Sequence, residues 1–559
     1  MYRYDQYDHQ MLADRVAQFR DQTQRYLAGQ LSDAEFLPLR LQNGLYIQRL
    51  APMLRIAIPY GMLSSRQMRK LAYIADHYDK GYGHLTTRQN IQFNWPHLEE
   101  VPDILEHLAE VEMHAIQTSG NCIRNTTTDQ FAGVSADEIT DARPYCEIIR
   151  QWSTFHPEFA FLPRKFKIAV CGTRHDQAAT QVHDIGLYMV RNAAGELGFR
   201  VLVGGGLGRT PVIGSEIRSF LPEQHLLSYL DAILRVYNQE GRRDNKYKAR
   251  IKILVRETGV EQFRDKVEAE WLTVKDGPMT LTQDEVERCR GFFHDPDYKD
   301  LPGSSELLKR ALGGDVMFAA WHDQNVSAHK RPGYAIVTIC AKKTGYAPGD
   351  LDAAQMQFIA DLADQYSFGE MRITHTQNVV LADVEQDKLY DLWQALKTHD
   401  LQADNLGLLS DMICCPGGDF CALANAKSIP IAESIQRRFS HAELREIGKL
   451  SLNISGCMNA CGHHHVGNIG ILGVDKKGEV FYQVSLGSSS INVTALGKIV
   501  GPAFSQDEIP DVIEKIVSVY KQQRSGGEEF VETFNRIGLD PFKAALYGDK
   551  SNSRASRPA

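Results

Sequence analysis

The sequence predicts an α/β (α+β) protein made by internal duplication. Three observations carry this. A strand–helix–strand–helix order over residues 54–110 returns over residues 334–396. The first helix of each unit aligns without a gap, Ser65–Tyr78 against Ala353–Tyr366, sharing Gln-Met, Ala-Asp and the closing Tyr. Two later segments, Gly186–Gly208 and Gly470–Ser488, also pair a short apolar strand with a second strand and a Gly-bearing turn. Two copies of this size are too few and too large for a solenoid. They leave a crevice between halves where a large ligand can sit.

Residues 11–35 read as a charged helix, followed by a turn and a strand near Leu39–Tyr46. Leu54–Pro59 alternates as a strand. The helix Ser65–Tyr78 follows, with Met68, Leu71, Ala72 and Ala75 on one face. Gly83–Phe93 reads as one strand and Val101–Glu110 as a helix. The second copy repeats the order with Tyr334–Cys340, Ala353–Tyr366, Met371–Leu381 and Leu389–Leu396. Glu223–Lys275 reads as mostly helical, 275–330 as a less regular link, and Pro510 to Arg524 as a helix. Residues 549–559 are polar and aperiodic, which predicts a disordered tail.

The 559-residue length implies several domains. A net charge of −8 argues against general nucleic-acid binding. The polar N-terminus and the lack of long apolar runs give no signal peptide or membrane span. Ten unevenly spaced cysteines suit a reducing, cytoplasmic setting where thiols hold metal.

Five of those cysteines lie in two segments, Met412–Cys421 and Asn453–Gly462. Cys415 and Cys421 have five residues between them, Cys457 and Cys461 three. Thiolates from two Gly-rich loops can hold an iron–sulfur cluster. A zinc site, and with it a non-catalytic metal-binding protein, is the rival reading, although structural zinc favours gaps of two to four. Spacing leaves open whether Cys414 or its neighbour Cys415 is a ligand. Cys146, Cys171, Cys289 and Cys340 read as buried apolar residues.

Cys-x5-Cys followed by Gly-Cys-x-Asn-x-Cys resembles the siroheme and [4Fe-4S] signature of the sulfite/nitrite reductase family, most like its bacterial assimilatory hemoprotein branch. The resemblance covers most of the chain. It implies two ferredoxin-like half-domains (1–125, with the N-terminal helix, and 326–405) and two mixed α/β cofactor-binding domains (126–325 and 406–548). It implies Cys415, Cys421, Cys457 and Cys461 as cluster ligands, choosing Cys415 over Cys414, with the Cys461 sulfur also bridging to siroheme iron. Electrons would enter the cluster singly and pass through that sulfur.

The resemblance further implies that Arg55, Arg124, Lys165 and Lys167 hold the substrate anion. Lys165 and Lys167 would share one side of an extended strand. Taken singly, each is an ordinary surface charge. Plant-type nitrite reductases of the family tend to carry Asn where Lys167 stands, which favours sulfite here, with nitrite as the alternative substrate. Thr86, Thr87, Arg88 and Gln89 resemble a family strand beside siroheme, and Gln377 and Asn378 stand at the repeat-related positions. Gly204, Gly205 and Gly206 would let backbone approach the macrocycle. No Gly-x-Gly-x-x-Gly pattern opens a helix there, so no nucleotide site is read.

Asn459 would hydrogen-bond locally between two ligands. His463, His464 and His465 would lie behind the ligands or against siroheme carboxylates. Tyr46 and Cys122 resemble positions that form a Tyr–Cys thioether in some members. The implied function is six-electron sulfite reduction in sulfate assimilation and cysteine biosynthesis. No flavin or nicotinamide domain is evident, so the donor would be a ferredoxin or a separate flavoprotein subunit. The basic run Arg242–Lys252 is a candidate docking patch, a solvated face, or a set of siroheme contacts.

Overall fold

The computed structural model describes residues 1–491 and 494–548; the tail 549–559 expected to be disordered lies outside the described residues. Four five-stranded sheets form two pairs of identical topology. In the first half-domain the strand order is Leu45–Ile47, Pro52–Ile56, Ile91–Phe93, Tyr82–Leu85, then Asp350–Asp352. In the second it is Val326–Ala328, Tyr334–Ile339, Val379–Glu385, Glu370–Ile373, then Met62–Ser64. Every neighbouring pair in both is antiparallel.

The last strand of each sheet therefore comes from the other copy. Asp350, Leu351 and Asp352 pair with His84, Gly83 and Tyr82, while Glu370, Met371 and Arg372 pair with Ser64, Leu63 and Met62. Each exchanged strand leads directly into the helix that aligned in sequence, and both helices span the predicted limits, Ser65–Tyr78 and Ala353–Tyr366. Both begin with a capping box, Ser64 with Gln67 and Asp352 with Gln355. The helices pack together, and Arg69 reaches Asp361 and Asp364 across the joint, 2.6 Å each. Residues of both copies, among them Leu71, Ile74, Ile359 and Ala363, share one core. This exchange removes one exposed edge from each sheet.

Each Gly83–Phe93-type segment is two strands around a turn, not one strand. Pairing His84 with Gln92 and Leu85 with Ile91 leaves Thr86–Asn90 as the turn, where Gln89 has φ 56°. Gln377 occupies the same place in the second copy at φ 60°. A non-glycine residue in the left-handed region is strained unless its surroundings fix it. Here the side chains supply that fixing, as described below.

The cofactor-type domains run Thr127–Thr128, Ile168–Cys171, Ile185–Arg191, Leu197–Val203, Ser215–Pro222 and, in the second copy, Ile413–Cys414, Leu452–Ser455, Ile469–Lys476, Glu479–Leu486, Lys498–Ile499. In each the first three strands are parallel and the rest antiparallel. Each has its own apolar core. A small cluster of Ala179, Val182, Leu207, Ala460 and Val466 joins the first domain's Gly-rich turn to the second domain's cysteine loop.

Several boundaries differ from the sequence reading. Residues 11–35 contain two helices, Gln6–Leu27 and Asp33–Gln42, because Ser32 caps a new start. The link 275–330 holds helices Gln283–Arg290, Glu306–Gly314 and Val316–Asn325. Phe318 and Trp321 enter the half-domain core, so by packing the second half-domain begins before residue 326. Two helices, Phe530–Ile537 and Asp540–Tyr547, follow Ile509–Gln523. Among the described residues no helix is long and apolar enough to cross a membrane.

Candidate active site

Both turns of the exchanged half-domains face the cofactor-type domains, and their glutamines act as clamps between copies. Gln89 donates to the Ile373 carbonyl (3.1 Å) and accepts from the Thr128 amide (3.2 Å). Gln377 donates to the carbonyls of Leu85 (2.8 Å) and Cys414 (3.0 Å) and accepts from the Cys414 amide (3.0 Å). Asn378 accepts from the Ala341 amide and Lys342 and donates to Asp411 (2.9, 2.7 and 3.0 Å). All three side chains are buried and committed to protein partners. These bonds tie the two turns to the neighbouring loops of both copies.

Thr86 and Thr87 behave differently. The Thr86 hydroxyl accepts from the amides of Arg88 and Asn90 and shapes the turn. The Thr87 hydroxyl donates to the Cys461 carbonyl (2.9 Å), tying the first copy's turn to the second copy's cysteine loop. Arg88 extends inward, donating to the Thr127 hydroxyl (3.0 Å) and the Asn125 carbonyl (2.6 Å) and meeting His183. Its Nε is buried without a partner among the described residues. Burial, then neighbouring Arg124, push the Arg88 guanidinium down to about 9.

Of the substrate cations expected from sequence, Arg124 and Lys167 lie within electrostatic reach of Arg88. Arg55, on the strand Pro52–Ile56, reaches Gln92 (2.9 Å) and lies over the Tyr46 ring at 5.5 Å. Arg124 bonds to the carbonyls of Thr118 (2.7 Å) and Gly120 (2.8 Å). Lys165 and Lys167 flank buried Phe166, which bridges to Ile123, so the alternation read from the sequence holds. Burial pushes Lys165 down to about 8, with charge on Cys461 pulling the other way. Burial and then Arg88 hold Lys167 well below its ordinary value. Among the described residues none of Arg55, Arg88, Arg124, Lys165 and Lys167 has a carboxylate partner within 4.0 Å. These half-buried cations have given up part of their hydration without gaining a counter-charge, and a polycarboxylate macrocycle and an oxyanion are the groups that would relieve them.

Sequence reasoning gave less weight to Arg250 and Lys252, which it held open as either docking patch or cofactor contact. The structure divides that run. Arg242 pairs with Asp244 at the surface, and Tyr247 is exposed. Arg250 turns inward to buried Asp184 (2.7 Å), which also accepts from the Lys167 amide (2.9 Å). Lys252 bonds to the Leu207 carbonyl (2.9 Å), and burial pushes it down to about 8. His183 and His375 were missed, because isolated histidines carry no pattern. His375 faces the carbonyls of Thr128 (3.0 Å) and Thr87 (3.3 Å), and burial, then Arg88, hold it at about 4.

The three glycines also have local reasons. A side chain at Gly204 would meet Val255, and one at Gly205 would strike the carbonyls of His183 and Gln181 at 2.4 and 2.5 Å. Protein packing by itself disfavours a side chain at those two. Gly206 faces Arg250 and Lys252.

The four cysteines assigned to the cluster approach the same region. Charge on Cys461 is felt by Cys415, Cys421 and Cys457, after burial as the main influence on each. Cys461 is the exposed member. The Cys415 sulfur accepts from the Gly456 amide (3.2 Å) and faces the Ser428 hydroxyl (3.6 Å), and Asn459 reaches the Cys457 sulfur (3.5 Å). Donors aimed at sulfur stabilise a thiolate. Cys414 lies in the strand Ile413–Cys414, is buried, and directs its thiol to the Cys415 carbonyl (3.2 Å). Local geometry thus suits Cys415 as the ligand.

Among the described residues, no three Cys, His, Asp or Glu groups converge as a single ion requires. Thiolates around one zinc stand about 3.8 Å apart, from Zn–S bonds of about 2.3 Å; a four-iron cube takes one thiolate per iron and spreads them. His463 and His464 are buried beside the loop, and the ring of His465 meets the Gly208 carbonyl (2.8 Å).

A duplicated α/β chain with unpaired cations from one copy and paired thiols from the other defines a class: a redox protein holding an anionic macrocycle against a metal–thiolate centre. The chain belongs to the nitrite and sulfite reductase family. The family's 4Fe-4S domain matches residues 119–275 and 408–554, and its ferredoxin-like half domain matches 48–111 and 331–399. The chain is 30% identical over 445 residues to the chloroplastic ferredoxin–nitrite reductase of Arabidopsis thaliana, covering 76% of this chain and 68% of that one. It is 27% identical over 506 residues to sulfite reductase [ferredoxin] 2 of Mycolicibacterium paratuberculosis, covering 88% and 83%. The solved Mycobacterium tuberculosis NirA protein shares the fold, with TM-score 0.76 at 24% identity and 92% of each chain covered. The cofactors are siroheme and a [4Fe-4S] cluster.

Proposed function

We propose that this enzyme reduces sulfite to sulfide, taking electrons one at a time from a ferredoxin. Bound siroheme and cluster supply the redox chemistry. Cys415, Cys421, Cys457 and Cys461 would hold the cluster, with Cys461 shared with siroheme, and Arg88, Arg250 and Lys252 would meet siroheme carboxylates. The chain's remaining task is charge and protons. Six electrons and seven protons convert sulfite to hydrosulfide and three waters, so oxygen must leave protonated at each stage.

Arg55 and Arg124 bind oxyanion oxygens by fixed N–H groups. Lys165 and Lys167, depressed by burial, hold their protons less tightly than ordinary lysines and donate them to departing oxygen. The observation that carries sulfite over nitrite is Lys167, a second half-buried lysine with no carboxylate partner among the described residues. An extra cation favours the more highly charged anion. Steady-state kinetics with both anions decides the matter; a much higher kcat/KM for nitrite would assign the enzyme to nitrite reduction.

The ferredoxin reading draws on relatives whose names specify that donor. Acidic carriers prefer basic rims. Leu423 and Met458, each close in sequence to a cluster cysteine, are exposed, and Arg49, on the loop after Leu45–Ile47, bonds the neighbouring Ala424 carbonyl. This rim suits a docking protein better than the Arg242–Lys252 run, whose inner cations turn away from the surface. Whether the Tyr46–Cys122 thioether forms is read by peptide mass; free Cys122 in mature holoenzyme would dismiss it.

A further inference from the structure

A cavity of about 410 Å³ lies beside the substrate cations, between the helix Asp33–Gln42, the loop 116–122 and the segment 153–164. It is separate from the site above: none of Arg55, Arg124, Lys165 and Lys167 lines it. Its lining contains Arg15, Arg164 and His156 and no aspartate or glutamate. Arg15 is spent on neutral acceptors, Asn43, Gln18 and Gln42. Among the described residues the Arg164 side chain has no hydrogen bond and no ion pair, and His156 has a buried Nδ1 without a partner. Leu37, Leu41 and Phe159 supply apolar wall. A positive cavity with low-dielectric walls concentrates anions.

The wall shared with the substrate cations includes the loop 116–122. Arg124 holds the carbonyls of Thr118 and Gly120, whose loop lines the cavity from Ile116 to Cys122. Arg164 directly precedes Lys165 and lies within electrostatic reach of Arg124 and Tyr46.

We infer that this cavity is the antechamber through which the small oxyanion substrate enters, with Arg164 as the residue that captures it. The inference rests on the anion-reductase reading, though not on the choice between sulfite and nitrite. Arg164 captures and hands on; it touches no reacting atom and is a positioning residue.

The test uses the ferredoxin-competent holoenzyme and three substrates. Sulfite and nitrite are anions. Hydroxylamine is neutral, and two electrons and two protons take it to ammonia and water. Arg164→Gln should raise KM for both anions about tenfold, the lower end of electrostatic steering, and should flatten the ionic-strength dependence of kcat/KM. It should leave kcat, and both constants for hydroxylamine, within about twofold. Ala160→Trp, which narrows the cavity, should lower kcat/KM for all three. Anion KM values within about twofold of wild type, or a parallel loss with hydroxylamine, would overturn the inference. Stopped-flow association of sulfite or nitrite, followed by cofactor absorbance, judges Arg164 without turnover: slower association in the variant supports capture, and an unchanged rate refutes it. Failure of wild type to reduce either anion would instead condemn the functional reading.

Discussion

Lys167→Asn is the substitution that tests the substrate assignment most directly. The lysine is held by its neighbours rather than by its own head group: its amide donates to Asp184, and buried Phe166 fixes the strand on one side. The asparagine variant keeps both. What disappears is one cation facing the same space as Arg88, Lys165 and Arg250. At an effective dielectric near 20, two unit charges about 4 Å apart interact by about 4 kcal/mol. Sulfite as a dianion carries one unit more than nitrite, so that figure bounds the differential loss. Lys167 sits well below its ordinary value, so part of the interaction is spent in recharging it. The ratio of the two kcat/KM values should therefore shift against sulfite, by at most about 10³ at the bound of about 4 kcal/mol. Sulfite turnover itself should fall by about 10²–10³, the effect of losing one oxyanion donor. The assay is steady-state reduction of each anion with a reduced dye as donor. Lys167→Arg should retain most of the preference. If the asparagine variant lost activity toward both anions by the same factor, Lys167 would be structural or generic and the argument for sulfite would collapse.

Three further outcomes follow from particular contacts. Burial, then Asp141, push Glu138 from 4.5 up to about 7, so the folded chain keeps a proton that the unfolded chain has lost in that window, and stability falls as pH rises through it. Glu138→Gln keeps an acceptor for the Gly133 amide and should erase that slope, gaining about 3 kcal/mol above the window in urea titrations; an unchanged slope would show that Glu138 is not its source. Cys415→Ser should lose cluster iron and its visible absorption while Cys414→Ser keeps both, and the reverse pattern would reassign the ligand. Lys342→Met strands Asp411, which it meets at 2.9 Å in a fully buried pair, and should cost about 3–5 kcal/mol; a denaturation midpoint equal to wild type would mean that Asp411 is satisfied by Asn378 and the Gly407 amide alone.

The duplication was legible because two helices of equal length keep their register and their caps, and those are local properties. The exchange of Met62–Ser64 and Asp350–Asp352 was not legible. Each is three residues long, and nothing in so short a segment says which copy's sheet it joins. The single-strand reading of Gly83–Phe93 and Met371–Leu381 failed for a related reason. Gln89 and Gln377 each sit in a short polar stretch between apolar residues, and alternation alone does not reveal that they are at positive φ, stabilised by carbonyls and amides from both copies. The substrate cations were readable only through family resemblance, since Arg and Lys in isolation look like surface. Arg164 stood in plain sight beside Lys165, but only the cavity distinguishes it from an ordinary charge.

The exchanged strands and the glutamine clamps answer a problem created by splitting one site over two copies. The cations come from the first copy and the thiols from the second, so any rotation between them would move charge away from sulfur. Each clamp fixes a different component. Gln377 grips the backbone of Cys414, next to Cys415, and is itself anchored to Leu85 of the first copy. Gln89 grips Thr128, next to the Thr127 that receives Arg88, and is anchored to Ile373 of the second. Thr87 closes the loop by bonding directly to Cys461. The two copies are thus held in register by hydrogen bonds that end beside the cations of one copy and the cysteines of the other.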